Sequence, residues 1–180
     1  MDILSYTLGK KAGGGKYAPR KIIFSTQNNK FYGTELNYEI QNLDTSNIEM
    51  FSAMFYDCEN LLSLDLSNFD VSKGTNFSMM FYNCKKLTSL DLSNFNIDGD
   101  YNLSYMFSGC SSLQHLDVRN IIFSSITTAS YYMNLFGTNH PDYQVPSDCE
   151  IIVKDATEKA WINTNFSRLT NVKTVAEYEG

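Results

Sequence analysis

The chain reads as an α/β repeat: a short solenoid of stacked coils with short parallel strands and short helices, capped at both ends. Three observations predict it. Leu64-Asp65-Leu66-Ser67-Asn68-Phe69-Asp70 returns as Leu90-Asp91-Leu92-Ser93-Asn94-Phe95-Asn96, and Met80-Phe81-Tyr82-Asn83-Cys84 returns as Met106-Phe107-Ser108-Gly109-Cys110. The offset is 26 in both cases (90 − 64 and 110 − 84), and a fixed period of this size marks a stacked array. Within each unit a Leu-x-Leu alternation has the period of a strand with one buried face.

Residues 1–20 stand apart as a docking arm and Gly-rich linker. Ile3, Leu4, Tyr6 and Leu8, with Lys10 and Lys11, fit one or two helical turns with Asp2 as N-cap, and Gly13-Gly14-Gly15 ends them. A disordered leader is the alternative. Gly15-Lys16 is not a phosphate loop, because Lys10 stands where its first Gly belongs and Tyr17 replaces the Ser or Thr.

Residues 21–37 form an N-terminal cap, with Lys21-Ile22-Ile23-Phe24 as its strand. Residues 38–136 are the repeats, in coils 38–63, 64–89 and 90–115 and an altered fourth from Leu116. Subtracting 26 from the first clear repeat makes Tyr38–Asn42 a strand. Leu64 and Leu66 point inward, Asp65 and Ser67 outward. The chain turns at Asn68-Phe69 and extends again near Asn76-Phe77. Ser78 to Cys84 reads as a short helix, with Met79, Met80 and Phe81 on its inner side. No coil buries both faces alone, so stability comes from stacking neighbours.

In the fourth coil Leu116 to Asn120 keeps the strand, and Tyr132 to Phe136 resembles the helix, shifted. Residues 137–148, with Pro141 and Pro146, are an inserted loop. Residues 149–180 are a C-terminal cap. It holds a buried strand at Ile151-Ile152-Val153 and a helix from Asp155 (N-cap), with Glu158 at the capping-box position. Leu169, Val172 and Val175 close the array.

A chain of 180 residues that is 43% hydrophobic, with 12 Phe and 12 Tyr, supports a core. The net charge of −6 argues against a nucleic-acid partner, which would call for a basic face. Apolar runs are too short for a membrane span. The opening residues lack the basic and apolar regions of a signal peptide. Cys58, Cys84 and Cys110 share one position at spacings of 26, which is repeat logic and not CxxC metal-ligand logic. With Cys149 they are read as free, buried thiols.

The segment Leu64 to Ser89, LDLSNFDVSKGTNFSMMFYNCKKLTS, resembles the 26-residue BspA-type bacterial leucine-rich repeat over residues 38–136. The resemblance implies a right-handed leucine-rich-repeat solenoid. Cys149 to Ala156, Trp161 and Leu169 to Lys173 resemble a C-terminal cap found in such proteins of Gram-positive bacteria and their phages. The opening eleven residues are similar to leaders of phage tail, baseplate or fibre proteins. The family's exported members are surface adhesins with a signal sequence and a wall anchor, and neither is read here. The implied role is therefore a non-enzymatic virion accessory (tail, baseplate or fibre) for host-surface attachment. It would hold a phage virion protein through Ile3, Leu4, Tyr6 and Leu8, and a host-surface protein or glycan through the solenoid. A bacterial cell-surface adhesin and an intracellular interaction scaffold are the alternatives.

Three sets of residues are open to function. Glu39, Asp65, Asp91 and Asp117 share an outward strand position, where they would stack about 4.8 Å apart. Such a column is a strip for Ca²⁺ or for Lys/Arg of a partner, or else a solvated acidic face. Arg119 would neutralise Asp91 or Asp117. Tyr56 and Tyr82, and then Tyr131 and Tyr132, would offer flat faces to a glycan, or pack between coils. His140 and Tyr143 lie on the inserted loop, which is a binding element or a spacer. The Met54, Met80, Met106 column is core, and Asn68, Asn94 and Asn120 bond backbone at the turns. No cofactor is called for beyond that Ca²⁺ option, no metal site is assigned, and no HExxH, GxSxG or Cys–His pair points to an enzyme.

Overall fold

Backbone N–H and C=O groups must be paired when buried, and here many are paired between segments about one repeat apart. The computed structural model describes residues 3–6, 22–25, 43–138 and 140–180. The fold is mixed α/β, with parallel strands and few short helices. The Tyr38–Asn42 strand, Glu39, Leu8 and the glycine linker lie outside the described residues.

Strand β1 (Ile3–Tyr6) pairs antiparallel with β2 (Ile22–Ser25), Ile3 opposite Ser25 and Tyr6 opposite Ile22. The helix expected at Ile3 to Tyr6 is therefore a strand. A helix of one or two turns is marginal alone, and the β-rich run at Ile22 supplies the missing backbone partners. The strand expected at Ile22 to Phe24 is present.

The main sheet is parallel, in the order β3 (Ser89–Asp91), β5 (His115–Asp117), β7 (Glu150–Val153) and β8 (Val172–Thr174). Leu90, Leu116, Ile151 and Val172 are in register and buried, so the Leu-x-Leu pattern places one row in the core. A two-stranded parallel sheet joins β4 (Ile97–Asp98) to β6 (Ile121–Ile122). Leu64 to Leu66 is not a strand, although Leu64 and Leu66 are buried and Asp65 and Ser67 exposed as the alternation requires. The brief extension expected near Asn76 is present as parallel bridges linking Met50, Asn76 and Asn102.

The segment from Ser78 to Cys84 is not a helix but a chain of overlapping turns. Alternate amides bond three residues back, as Met80 does to Phe77 and Tyr82 to Met79. The others bond across to the next repeat: Phe77 to Asn102, Met79 to Ser104, Phe81 to Met106 and Asn83 to Ser108. A helix would keep all these amides to itself and leave the next repeat unbonded. The arrangement needs left-handed backbone at Ala53 and Asp57, Met79 and Asn83, Tyr105 and Gly109. Asp, Asn and Gly tolerate it, whereas Ala53, Met79 and Tyr105 cost about 1–2 kcal/mol each. Met80 and Phe81 face inward as expected, but Met79 faces out and is 37% exposed.

Phenylalanines stack along the core: Phe55 on Phe81 at 5.5 Å, Phe81 on Phe107 at 5.9 Å and Phe107 on Phe136 at 5.7 Å. Met54, Met80 and Met106 are buried beside them. All four cysteines are buried thiols. The thiols of Cys84 and Cys110 each donate at 3.2 Å to the carbonyl of Phe55 and Phe81, one repeat earlier. The turn asparagines act likewise, Asn94 donating to the Leu66 and Phe69 carbonyls and Asn120 to that of Ser93.

Between the third and fourth repeats Leu103, Tyr105 and Phe107 donate to Tyr131, Met133 and Leu135. The offset is 28 (131 − 103) where it was 25 (102 − 77), which is the shift the sequence showed. The cap contains β7 and helix α1 (Ala156–Asn165). Asp155 caps α1, accepting from Thr157 and Glu158 amides. Glu158 does not close a capping box. It is 2% exposed, and its carboxylate accepts from the amide and hydroxyl of Ser124. The capping box forms on α2 (Val175–Glu179), between Thr174 and Glu177.

Candidate functional site

The acidic column is partly closed by the fold. Asp91 and Asp117 are neighbours in the parallel register, and the row continues with buried Ile152 and then Lys173. Each carboxylate accepts from the amide two residues on: Asp65 from Ser67, Asp91 from Ser93 and Asp117 from Arg119. These are Asx turns, which tighten the strand exit. Asp117 is 4% exposed, and the guanidinium of Arg119 grips both its oxygens, with Nη2 to Oδ2 at 2.7 Å. Nη1 of Arg119 also donates to Glu179 at 2.6 Å, which ties α2 to the sheet. Both carboxylates raise the Arg119 pKa, Asp117 first. Arg119 thus neutralises Asp117, one of the two residues expected. Among the described residues no group of three or more His, Cys, Asp or Glu is arranged to hold a metal ion. No described helix is long and apolar enough to cross a membrane.

The tyrosines assemble differently. Tyr56 stacks on Tyr82 at 4.9 Å and 8°, and Tyr82 stacks on Tyr143 at 5.9 Å and 26°. His140 lies 5.7 Å from Tyr143, ring to ring. Four predicted residues from two repeats and the inserted loop therefore share one surface. The third repeat makes room for this. Where Tyr82 and Asn83 stand it has Ser108 and Gly109, and the buried Ser108 hydroxyl donates to the Tyr143 carbonyl at 3.2 Å. Gly109 has φ +83°, and a Cβ there would lie 2.9 Å from the Asn83 Cα.

The loop is held at its base by Arg168. Its guanidinium donates to the Val145 carbonyl at 2.6 Å and to the Phe136 carbonyl. The Tyr143 carbonyl accepts from Thr138, and Gln144 Nε2 donates to the Thr138 carbonyl at 2.8 Å. Pro141–Tyr143 is a 3₁₀ turn entered at His140, whose Nδ1 accepts from the Asp142 amide at 3.3 Å. Burial of Arg168 lowers its pKa. Burial, then the nearby Asp57 and Tyr143, raises that of Tyr56, and burial followed by Tyr143 and Tyr56 raises that of Tyr82.

Tyr131 and Tyr132 join neither surface. Both pack on the core, and Tyr132 meets Trp161 edge-on at 5.1 Å. The sequence reading missed Tyr105, which lies edge-on to Tyr82 at 6.5 Å and whose hydroxyl is 3.7 Å from the Met133 sulfur. Its only sequence signal was its place in the Ala53, Met79, Tyr105 column.

The family described as "Mycoplasma protein of unknown function, DUF285" matches residues 24–139, more than half of the chain. The chain belongs to this family. The matched region runs from the end of β2 through the repeats that carry Tyr56, Tyr82 and Tyr105 to the start of the inserted loop. Neither a curated protein nor a solved structure matches.

Proposed function

We propose that the chain is a non-enzymatic attachment protein: a short right-handed leucine-rich-repeat solenoid of the BspA-like kind. It presents its turn surface to a host-surface partner from a phage virion. Membership of the DUF285 family supports the BspA-like reading, as does the bonding of segments one repeat apart. The observation that carries the binding role is the convergence of Tyr56, Tyr82, Tyr143 and His140 on one surface. Stability alone does not require a loop ring to extend a repeat ladder, and loops on rigid scaffolds concentrate binding. The virion location rests on the leader resemblance, with Ile3, Leu4, Tyr6 and Leu8 as the docking arm.

Mass spectrometry of purified virions tests the location, and peptides of this chain are expected in the particles. Their absence rejects it. Binding of the labelled chain to host cells tests attachment, and loss on Tyr82→Ser is the expected result. Attachment from the bacterial surface is the second reading, favoured by the match to a family described from a bacterium. Protease shaving of intact cells would release its peptides in that case.

A further inference from the structure

The middle ring of the tyrosine ladder offers no open face to a sugar. A pyranose stacks on a free aromatic face. Both faces of Tyr82 are covered, by Tyr56 at 4.9 Å and by Tyr143 at 5.9 Å. At Tyr82 this leaves the ring edge and the phenol hydroxyl for a partner.

Beside it runs a second column. Met79 and Met133 are 37% and 47% exposed, and Tyr105 lies between them. Backbone bonds hold this column in line, Met79 donating to Ser104 and Tyr105 to Met133. Tyr105 joins the two columns through its edge contact with Tyr82 and its hydroxyl contact with the Met133 sulfur. Solvent-exposed methionines are unusual on a surface built only to stay soluble. Thioether chains adapt to irregular apolar partners, and Met and Tyr are enriched where proteins dock.

Two carboxylates, Asp57 and Asp142, border this surface, and the His140 Nδ1 lies 3.7 Å from Asp142 Oδ2. Asp57 lies close enough to Tyr56 and Tyr82 to oppose ionisation of both. Its Oδ1 accepts from the Asn83 side-chain amide at 2.7 Å. Asp142 is exposed next to Tyr143. The nearby Lys85 ammonium is engaged by Glu59 at 3.2 Å.

We infer that the surface of Met79, Tyr105, Met133, Tyr56, Tyr82 and Tyr143 docks an extended polypeptide segment with aliphatic side chains flanked by Lys or Arg. The methionines and ring edges take the aliphatic groups, the phenols bond the segment's backbone, and Asp57 and Asp142 face its cations. This rests on the binding role proposed above and names the class of partner for it.

The test uses the full chain, immobilised, against a display library of short random peptides and, in parallel, a glycan array. Enriched peptides should share an aliphatic core beside Lys or Arg. Their binding should fall about tenfold or more with Met79→Ser combined with Met133→Ser, and Asp57→Asn should reduce its salt dependence. Circular dichroism on each variant separates lost binding from lost folding. Peptides that bind the double variant unchanged overturn this surface as the site and leave the attachment role standing. Glycan binding lost with Tyr82→Ser, without peptide binding, overturns the polypeptide partner alone. If neither library binds, the inference fails, and the cell-binding assay judges the attachment role independently.

Discussion

The ring of Tyr143 lies 5.9 Å from that of Tyr82, so a loop residue continues a stack begun by the repeats. Ser108 permits this by being small where its predecessors Tyr56 and Tyr82 are large. Ser108→Tyr should therefore restore the repeat's own ring and expel the loop. Overpacking of this kind costs about 1–3 kcal/mol. Limited proteolysis checks it: cleavage within 137–148 should be faster in the variant, while the Phe55–Phe81–Phe107 core stays protected.

Arg168→Met removes the two donors that close the base of the loop on the Val145 and Phe136 carbonyls. Hydrogen bonds from a charged donor contribute about 1.5–3 kcal/mol each, with losses that do not add fully. A drop of about 2–4 kcal/mol in urea unfolding is expected. Arg168→Lys should recover only part of it, because one ammonium cannot reproduce the fork.

The acid limb of stability should involve Glu150. Its carboxylate accepts from Lys173 at 2.6 Å and meets His115 Nδ1 at 2.9 Å, and these two partners, Lys173 first, hold its pKa below the ordinary value. A depressed folded pKa means stability that is present above the unfolded value, about 4.3, and lost as pH falls through the folded one. Thermal melts should show Tm falling below about pH 4.5, and Glu150→Gln should lower Tm at neutral pH and flatten that fall.

The thiols should be inert while the chain is folded. Burial pushes Cys110 and Cys149 up to about 12, and Cys84 is raised by its Cys58 neighbour and by burial. Little thiolate exists at pH 8 for a disulfide reagent to trap. Labelling should occur only in denaturant, and rapid labelling of the native chain would contradict this packing.

Much of the frame was legible in the chain. Met80, Phe81 and Cys84 recur with a fixed offset, and residues at one repeat position meet the same neighbours, so their burial could be read directly. Asp155 announced its helix because a cap acts within three residues. The stretch from Ser78 to Cys84 was misread because overlapping turns and a helix share nearly the same apolar spacing. Only the destination of each amide separates them, and that lies in the next repeat. The strand at Ile3 escaped for a similar reason, since its partner is at Ile22.

The site was legible as a list and not as an arrangement. Tyr56, Tyr82, His140 and Tyr143 were each visible, but nothing local joins the loop to the ladder. That union depends on the smallness of Ser108 and Gly109 and on Arg168, which follows α1 in the chain and reaches back to the loop. Arg119 likewise meets Glu179 only because α2 folds back on the sheet.

The sequence by itself determined the period, the buried columns, the turn asparagines and the cap strand. These follow from short-range periodicity and from the need to bury apolar residues. Tertiary structure alone decided that the repeat's second half is a turn ladder, that Arg119 pairs with Asp117, and that both faces of Tyr82 are covered by neighbouring rings. Those outcomes depend on pairings between residues far apart in sequence, where hydrogen-bond geometry and available space, not composition, select the partner.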